Sequence, residues 1–119
     1  MSSSLLLKRE NNMIYIVDID HTICHTPAVD GKQRYDLSKP YPDRIEKVNR
    51  LYEEGHTIIY WTARGSGSGI NQFQITFDSL TAWGAKFHEL RLGKPSYDIW
   101  IDDKAISDIG FFGAVSSQP

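Results

Sequence analysis

Cysteine is nearly absent from this sequence. Cys24 stands alone among 119 residues, so no intrachain disulfide can form, which suits a reducing compartment. No run approaches the roughly 18 to 20 apolar residues of a membrane span. The opening MSSSLLLKRENN returns to charge after a few leucines, short of the roughly 7 to 15 apolar residues of a signal-peptide core. An excess of basic charge is missing too. The formal net charge of -2 argues against a broad nucleic-acid footprint, while leaving room for a local basic groove. Internal repeats and breaks in composition are also lacking, so a second domain is not expected. These absences point to one cytoplasmic domain with no membrane partner. It spans residues 13–114, between a flexible leader (1–12) and a flexible tail (115–119).

What is present alternates. The β-branched and aromatic run MIYIVD (13–18) reads as a strand buried on both faces. Pro27, Gly31 and Pro40 mark residues 23–40 as a loop or small hairpin flap. YPDRIEKVNRLYEEGH reads as a helix: Pro42 suits its first turn, Ile45, Val48, Leu51 and Tyr52 form one stripe, and Gly55 stops it. TIIYWT (57–62) is a second buried strand. INQFQITFDSLTAWG then predicts a helix whose apolar face is Ile70, Phe73, Phe77 and Leu80. AKFHEL (85–90) suggests a short strand, DIWIDD (98–103) a further one, and a short helix or turn closes the chain. Regular alternation of this kind predicts an α/β fold: a Rossmann-like three-layer α/β/α arrangement around a mostly parallel sheet. In such sheets ligands bind beyond the carboxyl ends of the strands.

Those ends carry the chemistry. Asp18 and Asp20 follow the first strand, Thr62 and Arg64 the second, and Asp102 and Asp103 the segment 98–103, with Lys94 just before it. Four carboxylates converging on one patch would repel strongly. A hard cation such as Mg2+, which takes oxygen ligands, resolves that conflict. One aspartate could then attack phosphorus while the other moves the proton of the leaving oxygen. Thr62 and Lys94 could bind phosphate oxygens. Arg64 is balanced between a substrate anion and an acidic side chain. The GSGSG loop lacks the Lys-Ser/Thr of a P-loop. Cys24 lacks a base or resolving thiol. His25, His56 and His88 have no zinc-site spacing, and the tryptophans are expected in the core.

The order DIDHT, IIYWT and GKPSYDIWIDD resembles the motifs of the haloacid dehalogenase superfamily of phosphotransferases, across residues 13–105. The resemblance implies Asp18 as nucleophile and metal ligand. Asp20 would be the general acid/base, with its backbone carbonyl on the metal. Thr62 and Lys94 would bind phosphate, Asp102 would hold Mg2+, and Asp103 would support it. Thr22 and His21 would face substrate, although many members have Gly where this chain has His21. A narrower similarity joins LYEEGHTIIYWTARG, TAWGAKFHEL and GKPSYDIWIDDKA to small capless phosphatases of bacterial capsule or surface-sugar synthesis. Only 22 residues separate Thr22 from Ile45, so no large cap domain fits.

The expected function is therefore a Mg2+-dependent phosphomonoester hydrolase acting on a small phosphorylated metabolite, with a sugar phosphate favoured by the resemblance. A homo-oligomer that covers the open site is part of that expectation. Two alternatives remain. One is a nucleic-acid 3'-phosphatase, since residues 34–64 resemble the phosphatase domain of phage polynucleotide kinase. The other is a non-catalytic or regulatory binding domain that keeps the fold.

Overall fold

The structure is a computed structural model that describes residues 12–115. The expected leader and tail lie outside the described residues, apart from Asn12 and Val115. Strand β1 (Ile14–Val17) leads into a small antiparallel region. Its strands are β2 (Cys24–His25), β3 (Ala28–Val29), β4 (Lys32–Gln33) and β5 (Lys39–Pro40), with a 3-10 turn at Tyr35–Leu37. Helix α1 (Pro42–Glu53) and strand β6 (Thr57–Trp61) follow, then helix α2 (Phe73–Ala82), strand β7 (Glu89–Arg91) and helix α3 (Asp108–Phe112).

Strands β1, β6 and β7 form one parallel sheet in the order β1-β6-β7. Tyr15 pairs with Ile58 and Val17 with Tyr60, while Tyr60 pairs with Leu90. These residues share one face of the sheet, because side chains alternate along each strand. That face holds the core: Ile58, Tyr60 and Leu90 cluster with Ile19, Ile23, Ile45, Val48 and Leu80. Burying each such side chain contributes about 1.5–3 kcal/mol. Helix α1 forms as its sequence predicts, with Pro42 in its first turn and Ile45 and Val48 buried. Gly55 stops it at φ 99°, a left-handed conformation that glycine adopts without steric penalty. The flap also forms as two short antiparallel ladders. Asp30 and Gly31 turn the tighter one with φ 54° and 76°, as a two-residue hairpin requires.

Five expectations are corrected. The buried residues of α2 are Thr76 and Leu80, while Phe73 and Phe77 remain about two-fifths exposed, at 41% and 38%. Thr76 turns inward because its hydroxyl has a buried partner described below. The third strand falls at Glu89–Arg91, later than the 85–90 expected. Strand β1 is exposed on one face, where Ile14 and Ile16 are 69% and 58% exposed, and half-buried on the other, at Tyr15 and Val17. The apolar residues with which α1, α2 and α3 meet the sheet belong to the cluster on the other face, so the described residues supply no second helical layer. Finally, residues 98–103 form no strand. They make an exposed arm with Ile99 at 79% and Ile101 at 93%.

Candidate active site

The three parallel strands deliver their C-terminal residues to one end of the sheet. After β1 the chain turns sharply: the Thr22 and Ile23 amides both donate to the Ile19 carbonyl, at 3.1 and 2.9 Å. His21 takes a left-handed φ of 65°, a conformation that glycine adopts more readily than other residues. Its ring is exposed and meets His25 edge-on at 5.6 Å. The Thr22 carbonyl accepts from Arg44 Nη1 at 2.9 Å, so this residue ties the turn to α1.

Asp18 and Lys94 form the open part of the site. Lys94 Nζ lies 3.6 Å from Asp18 Oδ1, and the Asp18 side chain is 37% exposed. Lys94 is fixed by its backbone, whose amide donates to the Thr62 carbonyl at 3.1 Å and whose carbonyl accepts from Ser66 Oγ at 2.8 Å. Burial pushes the Asp18 carboxyl above its ordinary value, against the opposing pull of Lys94 and the Ile19 amide. A poorly solvated carboxylate beside one ammonium group is a competent nucleophile and half of an anion cradle.

Asp20 is treated oppositely. Arg64 Nε donates to its Oδ2 at 2.9 Å and Nη2 to its Oδ1 at 2.8 Å, a bidentate clasp. Thr26 Oγ1 also donates to Oδ1. Burial would raise the Asp20 carboxyl, but the Arg64 hydrogen bond and charge, with Thr26, outweigh it and hold the group below its ordinary value. Two carboxylates a residue apart are thus pushed in opposite directions, Asp18 upward by burial and Asp20 downward by Arg64.

Arg64 is the buried hub of this cluster. Its remaining donors reach Ser38 Oγ at 3.1 Å and Thr76 Oγ1 at 3.2 Å, and its guanidinium carbon lies 4.5 Å from the centre of the Tyr35 ring. The sequence left Arg64 between a substrate anion and an acidic partner; here the partner is Asp20. Thr62 is also buried, and its Oγ1 accepts the Arg64 amide at 3.0 Å. Sequence reasoning missed Thr26, Tyr35, Ser38 and Thr76. Only Thr76 carried a signal, because it shares a helical face with Leu80.

The structure brings Asp18, Asp20, Thr62, Arg64 and Lys94 to one end of the sheet, but not Asp102 or Asp103. Asp102 caps its own turn, accepting from the Lys104 amide at 2.8 Å and from Trp100 Nε1 at 3.1 Å. Asp103 pairs with Lys104 at 3.3 Å on the surface. Among the described residues no group of three or more His, Cys, Asp or Glu side chains could hold a metal ion. The described residues of one chain therefore do not fit the Mg2+ site that the sequence suggests. Asp20 is clasped by Arg64, and the Asp18 side chain is the more exposed of the two, at 37% against 18%.

No protein-family model matches the chain, and no curated protein matches it. Among solved structures it is similar to a crystal structure from Vibrio cholerae described as a structural-genomics target. Identity is 25% and the TM-score 0.72, over 86% of this chain and 89% of that one. The likeness supports an α/β fold built on a parallel sheet. No helix among the described residues is long and apolar enough to cross a membrane.

Proposed function

We propose that the chain is a phosphomonoester hydrolase of the haloacid dehalogenase type that works through an aspartyl-phosphate on Asp18. The observation that carries this reading is the placement of Asp18 at the end of β1 with the Lys94 ammonium 3.6 Å away. That position beyond the carboxyl ends of parallel strands is where such sheets bind ligands.

An Asp18 oxygen attacks phosphorus, and the bond from phosphorus to the leaving alkoxide breaks. Lys94 offsets charge on the phosphoryl oxygens. The departing oxygen takes a proton from Asp20, and water then attacks the aspartyl-phosphate, returning a proton to Asp20, to release inorganic phosphate and regenerate the Asp18 carboxylate. Asp20, held ionised by Arg64, is suited to accepting the proton of that water. For Asp20 to protonate the leaving group first, the Arg64 clasp must loosen. The open site accepts a small phosphorylated metabolite, and the motif resemblance favours a sugar phosphate.

The test is release of p-nitrophenol from its phosphate ester by wild type and Asp18→Asn, each with Mg2+ and with EDTA. Wild type should turn over, and Asp18→Asn should lose on the order of 10³-fold or more in kcat. Its fold should survive, because the substitution removes a charge that burial disfavours. Full activity in Asp18→Asn eliminates the mechanism. A second reading, a regulatory phosphate-binding domain, draws support from the capture of Asp20 by Arg64. Phosphate binding without turnover of sugar phosphates or 3'-phosphorylated oligonucleotides would favour it.

A further inference from the structure

We infer that the chain works as a strand-exchanged dimer. Residues 98–103 of one copy pair in parallel with the free edge of β1 in the other, and carry Asp102 and Asp103 to that copy's Asp18. The part concerning the carboxylates rests on the phosphatase reading above; the part concerning the exchange does not.

Three features of one region call for an occupant. The first is the edge. Among the described residues, the order β1-β6-β7 leaves one side of β1 without a ladder partner. Its residues, Ile14-Tyr15-Ile16-Val17, include none of the Lys, Pro or other charged groups that usually blunt an edge. The second is the uncovered face. Parallel sheets are normally covered on both sides, yet Ile14 and Ile16 are 69% and 58% exposed. The third is the arm itself. Asp98-Ile99-Trp100-Ile101 has strand composition but no ladder, with Ile99 and Ile101 at 79% and 93% exposure. An apolar, β-branched segment and an apolar, unpaired edge are complementary surfaces on one molecule.

Chain length decides whose arm fills the edge. Lys94 is held at the carboxyl end of the sheet by Thr62 and Asp18. Only residues 95–97 separate it from Asp98. To lie parallel beside its own β1, the arm must start at the opposite end of that strand. This means travelling about 13 Å back and three strand spacings, about 14 Å, across, because Lys94 continues the line of β7. The steps from Lys94 to Asp98 reach at most about 14 Å fully extended, and a parallel crossover normally takes a dozen or more residues. Its own arm could lie only antiparallel, which would leave Asp102 and Asp103 at the wrong end. A second copy has no such restriction. Its arm can enter in parallel, ending with both carboxylates beside Asp18.

The arm is tethered at its far end too. Asp108 of α3 pairs with Arg44 of α1 at 2.8 Å in the same chain. Between these tethers Trp100 meets Trp61 edge-on at 6.0 Å and its ring lies 5.8 Å from Lys94 Nζ in the same chain. The exchange must therefore move Trp100 off these neighbours, and a two-fold axis lets both copies do so reciprocally. Each completed site would then combine Asp18 of one chain with Asp102 and Asp103 of the other. That supplies the oxygen ligands for a divalent cation which one chain alone lacks.

The test mixes two inactive variants, Asp18→Asn and Asp102→Asn, refolded together in equal amounts. If sites are shared, half the dimers are mixed and one of their two sites is whole, giving about one quarter of wild-type activity. Sedimentation and amide hydrogen exchange run alongside and need no activity. The wild type should sediment as a dimer, with amides of residues 98–101 protected at high concentration and released on dilution. Ile16→Lys and Ile101→Lys, each at an exposed position, should sediment as folded monomers with that protection lost. A monomeric wild type, or an unprotected arm in a dimer, overturns the exchange whether or not phosphate is released. Two inactive parents that recover nothing on mixing, or a fully active Asp102→Asn, overturn the shared site and leave the phosphatase reading standing. A dimer with a protected arm but no wild-type turnover supports the exchange and removes the phosphatase reading instead.

Discussion

At the scale of single residues, the strongest interaction is the clasp between Arg64 and Asp20, whose side chains are 0% and 18% exposed. Removing one member of a buried pair strands the other, which costs about 3–5 kcal/mol. Arg64→Met should lose that much in urea unfolding, and adding Asp20→Asn should recover part of it. The pH dependence follows from the lowered Asp20 value. Stability from the pair is complete above the ordinary aspartate value of 3.8 and is lost as pH falls through the lower folded value. Unfolding curves from neutral to strongly acidic pH should show the Arg64→Met deficit shrinking at the acid end. Tyr60 is a contrasting case: it is fully buried, and its hydroxyl has no hydrogen-bond partner among the described residues. Tyr60→Phe should therefore stabilise the fold by about 1 kcal/mol, read as a higher Tm. The motif spacing made Asp18, Asp20 and Lys94 legible as a group. It said nothing of Thr26, Ser38 or Tyr35, because single polar residues in a flap carry no periodicity. The partner of Arg64 was open for the same reason: a guanidinium on a loop pairs according to tertiary placement.

At the scale of elements, the sequence was most informative where local chemistry and burial agree. Helix α1 has a proline start, an apolar stripe and a glycine stop, and each of these acts within the helix. In helix α2 the expected face holds at Leu80 and fails at Phe73 and Phe77, because aromatic spacing alone does not define the buried side. Its buried side is set by Thr76, which reaches Arg64, and by Leu80. The two faces make a direct comparison. Leu80→Ala should cost about 2–5 kcal/mol, whereas Phe77→Ser should cost much less, as chemical denaturation of both variants would show. Strand 98–103 was expected from composition alone. Composition specifies that a segment can pair, but its partner must come from the fold, and β1 is out of reach within the same chain.

At the scale of the molecule, an α/β fold with a parallel sheet was readable from the alternation of strand and helix patterns. The single covered face was not. An apolar pattern on both sides of β1 predicts cover on both sides without saying what supplies it. If a second copy supplies the cover, folding and association are linked, and stability depends on concentration. Wild-type Tm should rise over a hundred-fold range of protein concentration, while that of Ile101→Lys should stay flat. Differential scanning calorimetry at several concentrations reads this directly.

The arm between Lys94 and Asp108 also bears on inheritance. It carries Asp102 and Asp103, which under the exchange would meet Asp18 only between chains. Two defective alleles, one damaged at Asp18 and the other at Asp102, would then restore function in a cell that carries both, although neither does so alone.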